Sequence, residues 1–175
     1  SLVVEDGSVL SGMYITNAEN DEWGTLGQQE TVGVSYYRNS TMLEGGKPEV
    51  NDTENDLTKI VISGSYTTNA SLINEWGAVE ESTTKGYSYF RDSAKLAAGE
   101  TLVVADNATV SGRYETLAVN DEWGTLDDQT TIGISYYRNS TKLVGGDVAY
   151  DAASGVGKVT VSGSYTTSVT YVNEW

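Results

Sequence analysis

The chain has 175 residues, a formal net charge of −15, and neither cysteine nor histidine. Disulfides, thiolate metal sites, histidine-based triads and most zinc or haem ligation are excluded on that ground. The charge argues against nucleic acid, which needs cationic groups to neutralise phosphate, and against anionic membrane surfaces. An apolar fraction of 38% suits sheets with one wet face, and no apolar run reaches the roughly 18 residues of a membrane-spanning helix.

Taken in order, Ser1-Leu2-Val3-Val4 reads as a short strand followed by the turn Glu5-Asp6-Gly7, and Thr101–Val104 repeats it before Ala105-Asp106-Asn107. A longer strand follows, built on a Ser-Gly-x-Tyr phrase with glycines at Gly12, Gly64, Gly112 and Gly163. Simple alternation along it puts Ile60, Ile62, Gly64 and Tyr66 on one face and Val61, Ser63, Ser65 and Thr67 on the other. Glycine inside a strand marks a bulge or a close approach, so an aromatic ring is expected over these four glycines, the tryptophan of the same unit being the first choice.

Asn20-Asp21-Glu22-Trp23-Gly24 comes next and recurs as Asn120-Asp121-Glu122-Trp123-Gly124, with weaker copies ending at Trp76 and Trp175. It reads as a strand end whose tryptophan is buried, one core marker per copy, and whose glycine permits a positive φ. After a polar turn such as Asp127-Asp128-Gln129, the strand Thr131–Arg138 places Ile132, Ile134, Tyr136 and Arg138 on one face and Gly133, Ser135 and Tyr137 on the other. Its second copy carries Lys85, Tyr87, Tyr89 and Arg91 on the first face and is expected to expose that face more. One tyrosine of each pair, Tyr36/Tyr37 and Tyr136/Tyr137, must lie outside. The stretches 47–58, which holds the only proline, Pro48, and 147–157 read as variable surface loops.

The phrases recur about every 50 residues in two alternating kinds, so the true period is a unit of about 100 residues made of two half-units. Units of 1–98, with halves 1–50 and 51–98, and 99–175 follow. Short strands with turn signals and no helical periodicity predict an all-β fold. The expected form is tandem antiparallel β-sandwich units of Ig-like or Greek-key type, with propeller-like blades of about 50 residues as the alternative.

Chemistry is sparse. The pairs Asp21/Glu22 and Asp121/Glu122 beside tryptophan fit a carbohydrate-active site, but neighbours on a strand face opposite ways, so one pair cannot straddle a glycosidic bond. No enzyme is expected. The same four carboxylates are the candidates for calcium, the only cofactor in view. Sequons at Asn39, Asn51, Asn69, Asn107 and Asn139 fall at expected turns or loops and are candidates for glycan attachment. Four tryptophans and 12 tyrosines against one phenylalanine favour half-wet surfaces.

The fourth half-unit stops at Trp175, short of its Gly-x-Ser-Tyr strand, and Ser1–Val4 matches the end of a preceding half-unit. Such a block leaves strand edges open, and open edges recruit strands. The expected function is that of a structural subunit of an extracellular fibre, sheath or cell-surface layer. It would be glycosylated and would assemble head to tail with copies of itself, a contact that does not close. Gly12, Gly64, Gly112, Gly163, Trp23, Trp76, Trp123 and Trp175 would be its packing and assembly residues. The alternative is a repeat lectin or adhesin module that binds glycans with calcium. Neither nucleic acid nor membrane insertion is expected.

Overall fold

The computed structural model describes residues 5–38, 40–51, 60–91, 93–96, 102–137, 140–155 and 157–170. It is all-β apart from one 3-10 turn at Ala152–Ser154. Seven long strands form one sheet: β1 (Gly12–Asn20), β2 (Leu26–Tyr36), β5 (Ile62–Ile73), β6 (Val79–Tyr89), β7 (Val110–Asn120), β8 (Leu126–Tyr136) and β11 (Val161–Thr170). They lie in chain order and every neighbouring pair is antiparallel. Between them sit two small hairpins, β3 (Thr41–Glu44) with β4 (Lys47–Val50), and β9 (Thr141–Val144) with β10 (Asp147–Tyr150). The stretches 47–58 and 147–157, read from sequence as loops, thus each begin with a strand.

The sheet runs straight through the expected unit boundary, because β6 and β7 pair from Glu81↔Val119 to Tyr89↔Val110. Among the described residues no second large sheet faces it. The antiparallel all-β expectation is met, by one continuous meander. Ser1–Val4 lies outside the described residues. Leu102 and Val104 are buried, but that segment makes a single bridge, Leu96↔Val104, instead of a strand.

The core occupies one face at one end. Val34, Tyr36, Ile62, Tyr89, Val110 and Tyr136 from the sheet meet Ala94, Leu102, Val104, Ala108 and Leu143 from the connections. Each covering hairpin is clipped on by the segment preceding a long strand. Gly7 N donates to Leu43 O at 2.7 Å, and Leu43 N donates to Ser8 O at 2.8 Å. Asn107 N and Leu143 N make the matching pair with Leu143 O and Ala108 O, both at 2.8 Å. The copy-two strand expected to be more exposed is not, for Tyr89 is in this core and its hydroxyl meets Ser65 Oγ at 2.7 Å.

A repeated bulge corrects the expected strand faces. Ser35 pairs with Gly64, but Tyr36 pairs with Ile62, so Ser63 is the extra residue. The same shift occurs between Ser88↔Gly112 and Tyr89↔Val110, and between Ser135↔Gly163 and Tyr136↔Val161. An inserted residue reverses strand parity. Ile62 and Val110 therefore turn into the core, while Tyr66 and Tyr114 point to the opposite face. The bulged serines are satisfied laterally: Ser63 Oγ donates to Ser35 Oγ and Ser111 Oγ to Ser88 Oγ, both at 3.0 Å.

That opposite face contributes nothing to the core and is ordered by register instead. Tyr14, Gly33, Tyr66, Gly86, Tyr114, Gly133 and Tyr165 lie in one row across all seven strands. Two residues further toward the turns, Thr16, Thr31, Thr68, Thr84, Thr116, Thr131 and Thr167 form a second row. Their hydroxyls pair at 2.8 Å (Thr16–Thr31), 2.8 Å (Thr68–Thr84) and 2.9 Å (Thr116–Thr131). Cross-strand pairs of this kind contribute a few tenths to about 1 kcal/mol each.

The rings expected over Gly12, Gly64, Gly112 and Gly163 are elsewhere. A Cβ at the first three would meet backbone oxygens, 2.8 Å from Val34 O, 3.0 Å from Tyr87 O and 3.0 Å from Ile134 O, and one at Gly163 would meet nothing. The rings cover the other glycines instead: Tyr66 lies over Gly33, Tyr114 over Gly86 and Tyr165 over Gly133. A bare backbone under a ring protects an otherwise weak strand position. Gly86→Val would force the Tyr114 ring away, so a loss of about 1–3 kcal/mol is expected in urea unfolding. Gly163→Val should stay within about 0.5 kcal/mol, and equal losses would refute the ring-over-glycine account.

Candidate functional site: the hairpin tips and the open edges

The strand pairs β1–β2, β5–β6 and β7–β8 close through the same turn, at the end of the sheet away from the core. Asp21 N donates to Thr25 O at 2.8 Å and Gly24 N to Asp21 O at 3.1 Å. The Asp21 carboxylate accepts from Trp23 N at 2.8 Å and Thr25 N at 2.9 Å. Asp121 does the same for Trp123 N and Thr125 N, and Asn74 Oδ1 for Trp76 N and Ala78 N. Gly24, Gly77 and Gly124 follow at φ of 82°, 81° and 81°. This is a type I turn with a glycine bulge, a common three-to-five-residue hairpin connection.

The tips therefore project the tryptophans, and the core role expected for them is overturned. Trp23, Trp76 and Trp123 are 84%, 81% and 80% exposed, and Trp175 lies outside the described residues. The third turn position points away from both strands, so a side chain there has nothing to pack on. The second and third tips are tied to each other. Asn74 Nδ2 donates to Glu122 O at 2.9 Å and Asn120 Nδ2 to Val79 O at 2.8 Å. A glutamate precedes each of these three tryptophans: Glu22, Glu75 and Glu122.

The expected calcium ligands are not brought together. Asp21 and Asp121 cap separate turns, and among the described residues no three acidic side chains converge on one point. Of the sequons, Asn51 is buried at 4% exposure, while Asn69, on β5, and Asn107 are exposed. Asn39 and Asn139 lie outside the described residues. In the tyrosine pairs, Tyr36 and Tyr136 are buried and Tyr137 is exposed. Tyr37 is half-buried and donates to Tyr89 O at 3.1 Å.

Two further features are candidates. The outermost strands of the sheet are β1 and β11. β11 is exposed at every position and its ten residues include no charge and no proline. A cleft of about 280 Å³ opens on the covered face, between Thr67, Lys85 and Tyr87 on the sheet and Leu102–Val104 and Leu143 above it. Among the described residues of its lining, Lys85 is the charged one. Burial, with Asp147 nearby as a smaller cause, raises the Tyr87 phenol above its ordinary pKa, and its hydroxyl donates to Gly146 O at 3.0 Å. No helix among the described residues is long and apolar enough to cross a membrane.

Open edges are expected from the sequence, but which strand forms each edge, and the exposure of the tryptophan tips, depend on which strand neighbours which. Comparison with protein-family models, with curated proteins and with solved structures finds no match to this chain.

Proposed function

We propose that this chain is a structural repeat protein of a cell surface or extracellular layer, and that its sheet is extended by strand addition from further copies of itself. The observation that carries the reading is β11. In a chain of net charge −15, an exposed ten-residue edge strand has no charge and no proline. Edges that must stay single carry lysine, proline or inward charges. With all neighbours antiparallel, β1 and β11 run the same way. A copy displaced along the sheet would set its β1 parallel to β11, with the threonine row continuing across the join and Tyr14 of the copy meeting Tyr165. Such a contact is heterologous and open. The two-hairpin block of about 100 residues is the building unit in this reading, and the exposed Asn69 and Asn107 are its points of glycan attachment, readable in the intact mass.

Sedimentation and negative-stain microscopy of the whole chain test it. Growth into fibres with rising concentration is expected, and Ser164→Lys with Thr166→Lys on β11 should cap it. A monomer at every concentration, or a dimer that grows no further, would sink the proposal.

A second reading is favoured by the three exposed indoles. The chain would bind glycans as an adhesin-like module, through rings that stack on sugar faces.

A further inference from the structure

We propose that the row of hairpin tips binds a linear β-1,4-linked polysaccharide, with Trp23, Trp76 and Trp123 stacking in turn on alternate sugar rings. This rests on the glycan-binding reading just given and names the glycan.

The starting point is that the turns do not need their tryptophans. Asp or Asn at the first position caps the turn, and glycine at the fourth takes the positive φ. The third position could hold a small polar residue. Instead it holds the largest apolar side chain, three times, at 80% exposure or more. Leaving such a ring in water forfeits roughly 1.5–3 kcal/mol of burial at each site. A feature that brings the fold nothing and recurs in three equivalent turns points to a ligand.

The period then selects the ligand. Successive tips are two strands apart, and strands in a sheet lie about 4.8 Å from one another, so the indoles recur about every 9.6 Å. The bonds from Asn74 to Glu122 and from Asn120 to Val79 hold the second and third tips at that spacing. In an extended β-1,4-linked glycan, alternate rings are turned over. Every second ring therefore presents the same face, and the repeat of two pyranose rings is close to the tip spacing. An α-1,4-linked chain coils and a branched one interrupts the row, so neither keeps step over three tips.

The charge agrees. Glu22, Glu75 and Glu122 stand next to the rings. Carboxylates accept hydrogen bonds from sugar hydroxyls and repel polyanions. That leaves neutral or cationic polymers, of which unsubstituted and N-acetylated β-1,4 glycans are the plain cases.

The experiment uses the full chain with cellulose, chitin, amylose and a branched mannan as insoluble probes, and with soluble β-1,4 hexasaccharides followed by calorimetry and tryptophan fluorescence. Binding to at least one β-1,4 polymer is expected, with a blue-shifted indole emission. Each of Trp23→Ala, Trp76→Ala and Trp123→Ala should weaken it about tenfold, and the double variant Trp76→Ala/Trp123→Ala by more than either alone. Unfolding midpoints should be unchanged, since the rings are outside the fold. Binding to amylose or mannan but not to β-1,4 polymers would overturn this inference and leave the broader glycan reading standing. Binding to no glycan would overturn both. Binding to β-1,4 polymers that survives all three substitutions would place the site elsewhere and overturn the role of the tips.

Discussion

Ile62→Ala is expected to lower the unfolding free energy by about 2–5 kcal/mol, the range for emptying a buried aliphatic site that can only partly collapse. Ile62 is 0% exposed, pairs with Tyr36, and shares its cluster with Tyr89, Val110 and Tyr136. The cost should be felt by the whole sheet because this core is confined. It lies on one face and at one end, and the threonine and tyrosine rows contribute nothing to it. Ile15 is the internal control. It is also a strand isoleucine, on the same face, but 42% exposed on β1, and Ile15→Ala should cost no more than about 0.5 kcal/mol. Urea unfolding with both midpoint and slope recorded separates the two. Equal losses would mean that the core is not where the buried residues place it. The same asymmetry predicts slower amide exchange around Ile62 and Val110 than around Thr116 and Thr131, since local opening follows buried contact.

Stability should also fall steeply in alkali. Burial pushes the Tyr89 phenol up to about 12 from an ordinary 10.0, although the hydrogen bond from Ser65 pulls the other way. The folded state thus holds this proton more tightly than the unfolded chain does. Its contribution is fully present below pH 10 and is lost as pH rises toward about 12. Two units correspond to roughly 2–3 kcal/mol. Tyr36, Tyr87, Tyr114 and Tyr136 are raised in the same direction, each chiefly by burial, so they add to the trend. Urea midpoints measured across this window, with phenolate absorbance followed in parallel, check the sign. Tyr89→Phe should start less stable, having lost the Ser65 bond, and fall less with pH. A wild-type protein whose stability stays flat from pH 10 to 12 would show that Tyr89 ionises freely in the fold.

Much of the fold was legible from local pattern. Period-two alternation and turn residues mark every long strand, and the recurrence of Ser-Gly-x-Tyr and Asp-Glu-Trp-Gly marks the repeat. The faces of β6 and β8 were legible, with Tyr87 and Tyr89, and Ile134 and Tyr136, on the core side; those of the Ser-Gly-x-Tyr strands were not, because one bulged residue, Ser63 in β5, reverses everything before it. Ile62 and Tyr66 look like neighbours on one side and lie on opposite sides. The tryptophans misled for a related reason. Trp23 reads as a strand end with a buried ring, whereas the aspartate two residues earlier and the glycine after it form a hairpin turn. A large apolar ring ordinarily signals a core, and only the position of the turn beyond both strands leaves it nothing to pack against.

By itself the sequence determined the all-β class, the two alternating half-units, the turn chemistry and the exclusion of cysteine and histidine sites. These depend on residues within a few positions of one another. The tertiary structure alone decided that the halves join in one sheet, that seven threonines from seven strands stand in a row, and that three indoles share one rim. Those facts are relations among strands that reach from Thr16 to Thr167 along the chain. They are set by hydrogen-bond register and by which face finds a core, and no local pattern carries either.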